Sequence, residues 1–101
     1  MAVTTDVNQV IQDIEKYMGQ FGGYYRDWYV GIASDPRKRL FTDHCVREQG
    51  DHWIYRDCGT DAAARAVEDY FLRKGCDGGP SGGDYTTKFA YAYHKAAHTR
   101  Q

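Results

Sequence analysis

Apolar residues keep a helical rhythm over residues 7–21. Val7, Val10, Ile11, Ile14, Met18 and Phe21 follow the i, i+3, i+4, i+7 spacing of one helix face. Thr5 or Asp6 can cap the start, and Gly19 or the pair Gly22-Gly23 can end it. The stripe is suited to covering a sheet, with pairing against a second copy as its alternative use. The pattern then changes period. Residues 24–33 read as a strand at least from Trp28, with Trp28, Val30 and Ile32 on one side and Tyr29, Gly31 and Ala33 on the other. Ser34-Asp35-Pro36 is a helix start, and that helix is expected to run through Leu40, Phe41, His44 and Cys45 to about Arg47. His52 to Arg56 is a short aromatic strand. A third helix follows from Gly59-Thr60-Asp61, with apolar positions Ala63, Ala66, Val67, Tyr70 and Phe71 and a stop at Gly75. Residues 88–94 alternate Phe89, Tyr91 and Tyr93 against Ala90 and Ala92, and the alanine face leaves room for a close-packed helix. The polar tail 95–101 is expected to fray.

The predicted order is therefore α-β-α-β-α-β: an α/β fold with a small three-stranded sheet whose apolar face is covered by helices. At 101 residues the chain makes one domain, residues 1–101, with no internal repeat or linker. The aromatic share is 15%, nine of those residues being tyrosine, which suits half-buried surfaces and binding faces as well as a small core. Net charge is −1, so the broad basic excess of a stand-alone nucleic-acid binder is missing. A small anion held by a few arginines remains open. Cys45, Cys58 and Cys76 form no C-x-x-C pair and point to a reducing, cytoplasmic setting. Neither a signal-peptide pattern nor a membrane-spanning apolar run is present.

Two stretches carry candidate chemistry. Residues 75–83 hold five glycines and form a loop whose backbone N–H groups could wrap an anion, with Gly78, Gly79, Gly82 and Gly83 as candidate contacts. Its plain alternative is an irregular connection that needs glycine's backbone freedom. The other stretch is W-Y-V-G-I-A-S-D-P-R-K-R-L-F-T-D-H, residues 28–44. It resembles the second half of the GIY-YIG nuclease motif and the helix after it. Tyr29-Val30-Gly31 matches the strand, Arg39 the arginine, His44 the histidine, and Glu68 in A-A-R-A-V-E-D-Y-F the glutamate of the next helix. The likeness spans roughly residues 28–74. It implies Tyr29, Arg39 and Glu68 as catalytic candidates: Arg39 on a phosphate, Glu68 on a divalent cation, Mg²⁺ or Mn²⁺, and Tyr29 near a water.

The pattern also departs from the family. GQFGGYYRD stands where a Gly-Ile-Tyr strand belongs, with Tyr24 or Tyr25 as stand-ins at short spacing, and the only asparagine is Asn8. The last strand, with Tyr91 as a further ligand-binding candidate, could take the missing strand's place as if the fold were permuted. Each residue has an ordinary alternative: Asp35 or Asp43 as ion-pair partner for Arg39, Arg65 or Lys74 for Glu68, sheet packing for Tyr29, and a satisfied half-buried role for His44. The reading is a phosphate-recognising domain with lost or weakened nuclease activity, binding a nucleotide or nucleic-acid phosphate. Its alternatives are an active metal-dependent endonuclease and a protein–protein module. A homodimer is expected and a membrane partner is not.

Overall fold

A computed structural model describes residues 6–79 and 84–101. Helix α1 spans Val7–Phe21. The Asp6 carboxylate accepts from the Asn8 N–H to cap it, and Gly22, at φ 73°, ends it in a backbone region that glycine enters without strain. A 3₁₀ turn, Tyr25–Asp27, leads into β1, Trp28–Ala33. Helix α2 is one short turn, Pro36–Lys38, capped by Asp35, and it continues as a π-helical turn over Arg39–Asp43. Strand β2 is Trp53–Asp57, α3 is Asp61–Lys74 and β3 is Phe89–His94. The predicted order of helices and strands is thus observed, and Thr60 and Gly75 cap α3 as its sequence implies.

The sheet order is β1-β3-β2, with β3 antiparallel to both neighbours. The last strand in sequence is therefore the central one. Tyr93 pairs with Tyr29 and Trp53, and Tyr91 with Gly31 and Tyr55. Both faces of this sheet are buried, not one. Trp28, Val30, Ile32, Ala90 and Ala92 pack under α1 and α3 with Ile14, Val67 and Phe71. The side chains of Tyr29, Ala33, Tyr91 and Tyr93 form a second cluster with Leu40 of the π turn and Val46. The two alanines of β3 lie fully buried on the helix-covered face, as their size suggests.

Three expectations need correction. The second helix stops at Asp43, short of Arg47: Cys45 takes φ 59°, which no helix continues through, and the Val46 N–H turns back to the Leu40 carbonyl. On α3 the buried face is Ala64, Val67, Glu68 and Phe71, while Ala66 is exposed. The alanine-rich start hid this rotation, because small residues fit either side of a helix. The tail 95–101 is docked and not frayed. The Lys95 N–H bonds the Asp27 carbonyl, the Arg100 N–H bonds the His44 carbonyl at 2.7 Å, and His98 meets the Asp51 carboxylate.

That last contact has a measurable consequence. Burial alone would push the Asp51 carboxyl up, but the Arg47 N–H and His98 outweigh it and hold the group below the ordinary carboxylate range. With the folded value below the unfolded one, the stabilisation is complete above about pH 4 and is lost as pH falls through the folded value. Urea unfolding of the wild type and Asp51→Asn should show a gap at pH 6 that narrows by pH 3. A gap of constant size would count against the assignment.

All three cysteines are free thiols. Burial pushes Cys58 up and Cys76 to about 12, so neither is a thiolate nucleophile at neutral pH. Among the described residues no helix is long and apolar enough to cross a membrane.

Candidate functional site

The strand β1, the α2–π segment, α3 and β3 enclose a cleft of about 560 Å³. Tyr29, Arg39, Glu68, Gly79 and Tyr91 all line it, together with Lys38, Asp35, Asp43 and Thr87. Residues spread from position 29 to 91 are therefore brought to one place. A second cleft of similar volume, about 580 Å³, lies at the C-terminal ends of α1 and α3. Of the residues singled out from the sequence it holds the stand-ins Tyr24 and Tyr25 but none of Tyr29, Arg39, Glu68 and Tyr91, and its carboxylate, Glu15, already accepts from the Tyr25 hydroxyl.

Each member is placed by its own element. Tyr29 alternates off β1 away from the Trp28-Val30 face, which puts it on the cleft side; it is 5% exposed and stacks on Tyr93 with ring centroids 5.2 Å apart. Tyr91 reaches the same place from the adjacent strand, its ring lying across Gly31. A Cβ on Gly31 would stand 2.5 Å from the Tyr91 hydroxyl oxygen, so the glycine of the Tyr-Val-Gly triplet is required for space. Glu68 is buried at 6% exposure, on the Ala64-Val67-Phe71 side of α3. Its sequence neighbour Asp69 takes the helix-surface ion pair with Arg73.

The π turn explains the five-residue spacing of Arg39 and His44. In an α-helix, residues five apart diverge by about 140° around the axis. The π turn closes with the His44 N–H on the Arg39 carbonyl at 2.9 Å and brings both residues to Tyr91. Arg39 Nη1 also meets Asp43 at 3.5 Å, one of the two ordinary partners open to it. Both side chains of that pair are largely exposed, and such pairs contribute little. Asp35, the other, caps α2 by accepting from the Lys38 N–H.

His44 is more buried than its sequence implies, at 4% exposure, and both ring nitrogens have partners. Nε2 lies 2.8 Å from the Tyr91 hydroxyl and Nδ1 lies 2.6 Å from the Arg100 carbonyl. Burial lowers its proton affinity, the Arg100 carbonyl opposes and the nearby Arg39 adds to the fall; the net direction is down, which favours the neutral ring near pH 7. Tyrosine ionisation is disfavoured as well. Burial raises Tyr29, with Arg39 opposing, and pushes Tyr91 to about 12 despite Arg39 beside it. Both stay phenols near neutrality.

The glycine loop divides. Gly79 lines the cleft, and a Cβ there would stand 2.6 Å from the Tyr29 hydroxyl. Gly78 lies outside the cleft lining: a Cβ would meet the tip of the exposed Leu72 side chain at 2.5 Å and the Val30 carbonyl at 3.3 Å, a close approach where α3 ends against β1. Gly82 and Gly83 fall outside the described residues. The loop also carries structure of its own, since Asp77 bridges in parallel to Tyr29 along the free side of β1. Among the described residues no group of three or more His, Cys, Asp or Glu side chains is arranged to hold a metal ion. Lys38, Thr87 and the docked tail are contributors that single-sequence reasoning passed over. The run Arg37-Lys38-Arg39 was the available signal for the first, and the other two carry none.

Compared with known protein families, with curated proteins and with solved structures, the chain shows no significant match.

Proposed function

We propose that this chain is a GIY-YIG-like, phosphate-recognising domain that binds a nucleotide or a nucleic-acid phosphate and has lost or weakened nuclease activity. The observation that carries the reading is the convergence of Tyr29, Arg39, Glu68 and Tyr91, from four separate elements, on one cleft. The permuted form of the fold draws support from the register: β3 lies against β1 with Tyr91 opposite Gly31, where a Gly-Ile-Tyr strand would be wanted. The Arg39 guanidinium is the phosphate ligand, since its planar fork matches a phosphoryl group. Asp35, Asp43 and Glu68 outnumber Lys38 and Arg39 around the cleft, so the ligand is held by geometry more than by field. A compact phosphate ester fits this better than a long polyanion. Weakened catalysis is favoured by the two phenols, neither of which is poised to take a proton near pH 7.

The test is titration of nucleotides and short DNA and RNA oligomers into the wild type and Arg39→Ala. Saturable binding that weakens about ten- to a hundredfold in the variant is expected, the scale of a lost charge-assisted hydrogen bond. No binding to any of them would overturn the reading.

The endonuclease remains the second reading because Glu68 is a buried carboxylate in the cleft that Arg39 also lines. A single carboxylate fits Mg²⁺ or Mn²⁺ that keeps its waters and takes phosphate oxygens. Incubation of nucleic acid with either ion separates the two, since cleavage that vanishes in Glu68→Ala would select the enzyme.

A further inference from the structure

The docked tail touches the cleft through one chain of hydrogen bonds. It begins at the Arg100 carbonyl, which can only accept. That carbonyl is 2.6 Å from His44 Nδ1, so Nδ1 carries the ring proton. The opposite tautomer would press two lone pairs together at that distance. Neutral His44 then has a bare Nε2, and the Tyr91 hydroxyl 2.8 Å away donates to it. With its proton committed, Tyr91 turns only lone pairs towards the cleft that the Arg39 guanidinium also lines. Were Nε2 protonated, it would donate to Tyr91 and turn the phenol proton towards a cation.

Two further contacts hold the start of the chain in place. The Arg100 N–H returns to the His44 carbonyl at 2.7 Å, and the Tyr93 hydroxyl donates to the Arg100 carbonyl at 3.2 Å. His44, Tyr91 and Tyr93 are almost completely buried, so the inner links of the chain are shielded from water.

We propose that the main chain of Arg100 belongs to the site: its carbonyl sets the His44 tautomer, which makes Tyr91 an acceptor and fixes the Arg39 fork towards the ligand phosphate. His44, Tyr91 and Arg100 are positioning residues, and Arg39 is the group that touches ligand. The proposal rests on the reading of Arg39 as the phosphate ligand. It gives the buried His44 a purpose other than packing, and it makes the last residues of the chain part of the phosphate site.

Two measurements test it on the full chain. Nitrogen-15 NMR of the histidine rings should place the His44 proton on Nδ1, with a coupling across the hydrogen bond to the Arg100 carbonyl carbon. A proton on Nε2 overturns the proposal whatever the protein binds. The second measurement is an NMR titration with inorganic phosphate. Tyr91→Phe removes the acceptor but not the Arg100 contact. It should keep the Nδ1 proton and weaken phosphate binding about tenfold, a neutral-to-charged hydrogen bond's worth. Unchanged phosphate affinity in a folded Tyr91→Phe overturns the positioning role. Arg39→Lys, which keeps the charge without the fork, should lose most of the Tyr91→Phe effect, and an undiminished effect in that background assigns Tyr91 to packing alone. If the wild type binds no phosphate, the functional reading falls and the positioning role with it, while the NMR tautomer still decides the relay on its own terms.

Discussion

Replacing Gly31 with alanine should disable the cleft and cost about 2–6 kcal/mol of stability. The new Cβ would stand 2.5 Å from the Tyr91 hydroxyl oxygen, 2.6 Å from Cζ and 3.0 Å from Cε1. Real carbon contacts do not close to such distances, so the ring has to move. Its freedom to do so is small. Tyr91 sits in the central strand directly opposite Gly31 and is fully buried, with Tyr55 across it on the other neighbour. Swinging it away breaks its bond to His44 Nε2 and leaves that buried nitrogen without a donor. Overpacking of this kind costs about 1–3 kcal/mol, and the orphaned polar group adds about as much again. Tyr91→Phe should not rescue the variant, because Cζ remains in the way once the hydroxyl is gone. Chemical denaturation of the two single variants and the double variant reads the stability. Ligand titration reads the site. A Gly31→Ala protein that keeps wild-type stability would show that the ring has room to shift.

The sequence displays the parts of this arrangement far better than it displays their assembly. Element order follows from local signals: the α1 stripe, the Ser-Asp-Pro start of α2, the Thr60 and Gly75 caps of α3 and the Tyr-Ala alternation of β3 are each written within a few residues. Tyr29, Arg39, Glu68 and Tyr91 could be singled out one by one for the same reason. What local pattern does not encode is pairing. That β3 enters between β1 and β2 depends on side-chain fit across the sheet, as with Tyr91 over Gly31, and not on any turn between them. The π turn is hidden likewise, because an apolar stripe through Leu40 and His44 reads as plain helix until the Arg39 carbonyl is seen to take the His44 N–H. Polar composition made the tail look loose. Its attachment is through backbone groups and the His98–Asp51 contact, whose partners lie far apart in sequence, and those leave no mark in composition.

Truncating Phe71 to alanine should be among the most damaging single substitutions to the fold, at about 3–5 kcal/mol. Phe71 is fully buried on α3, in the cluster where α1 and α3 cover β1 and β3. Its ring meets Tyr70 edge-on with centroids 5.0 Å apart, and apart from Trp28 and Met18 the buried cluster it belongs to is built of branched or small side chains such as Val67, Ile14, Val30 and the β3 alanines. The neighbours able to collapse into the space are therefore few, and the alanines on β3 cannot grow to fill it. A domain of this size has about 5–15 kcal/mol of stability in all. The loss should lower the melting temperature by roughly 20 °C. The consequence reaches the cleft because Glu68 sits on the same helix face, one turn before Phe71. Looser docking of α3 frees Glu68 from its place beside Tyr29 and Tyr91 before the chain unfolds. Ligand affinity in Phe71→Ala should therefore fall at temperatures where circular dichroism still reports folded protein. Phe71→Leu, which keeps most of the volume, should recover both properties together. Recovery of stability without recovery of affinity would separate the docking of α3 from the shape of the site.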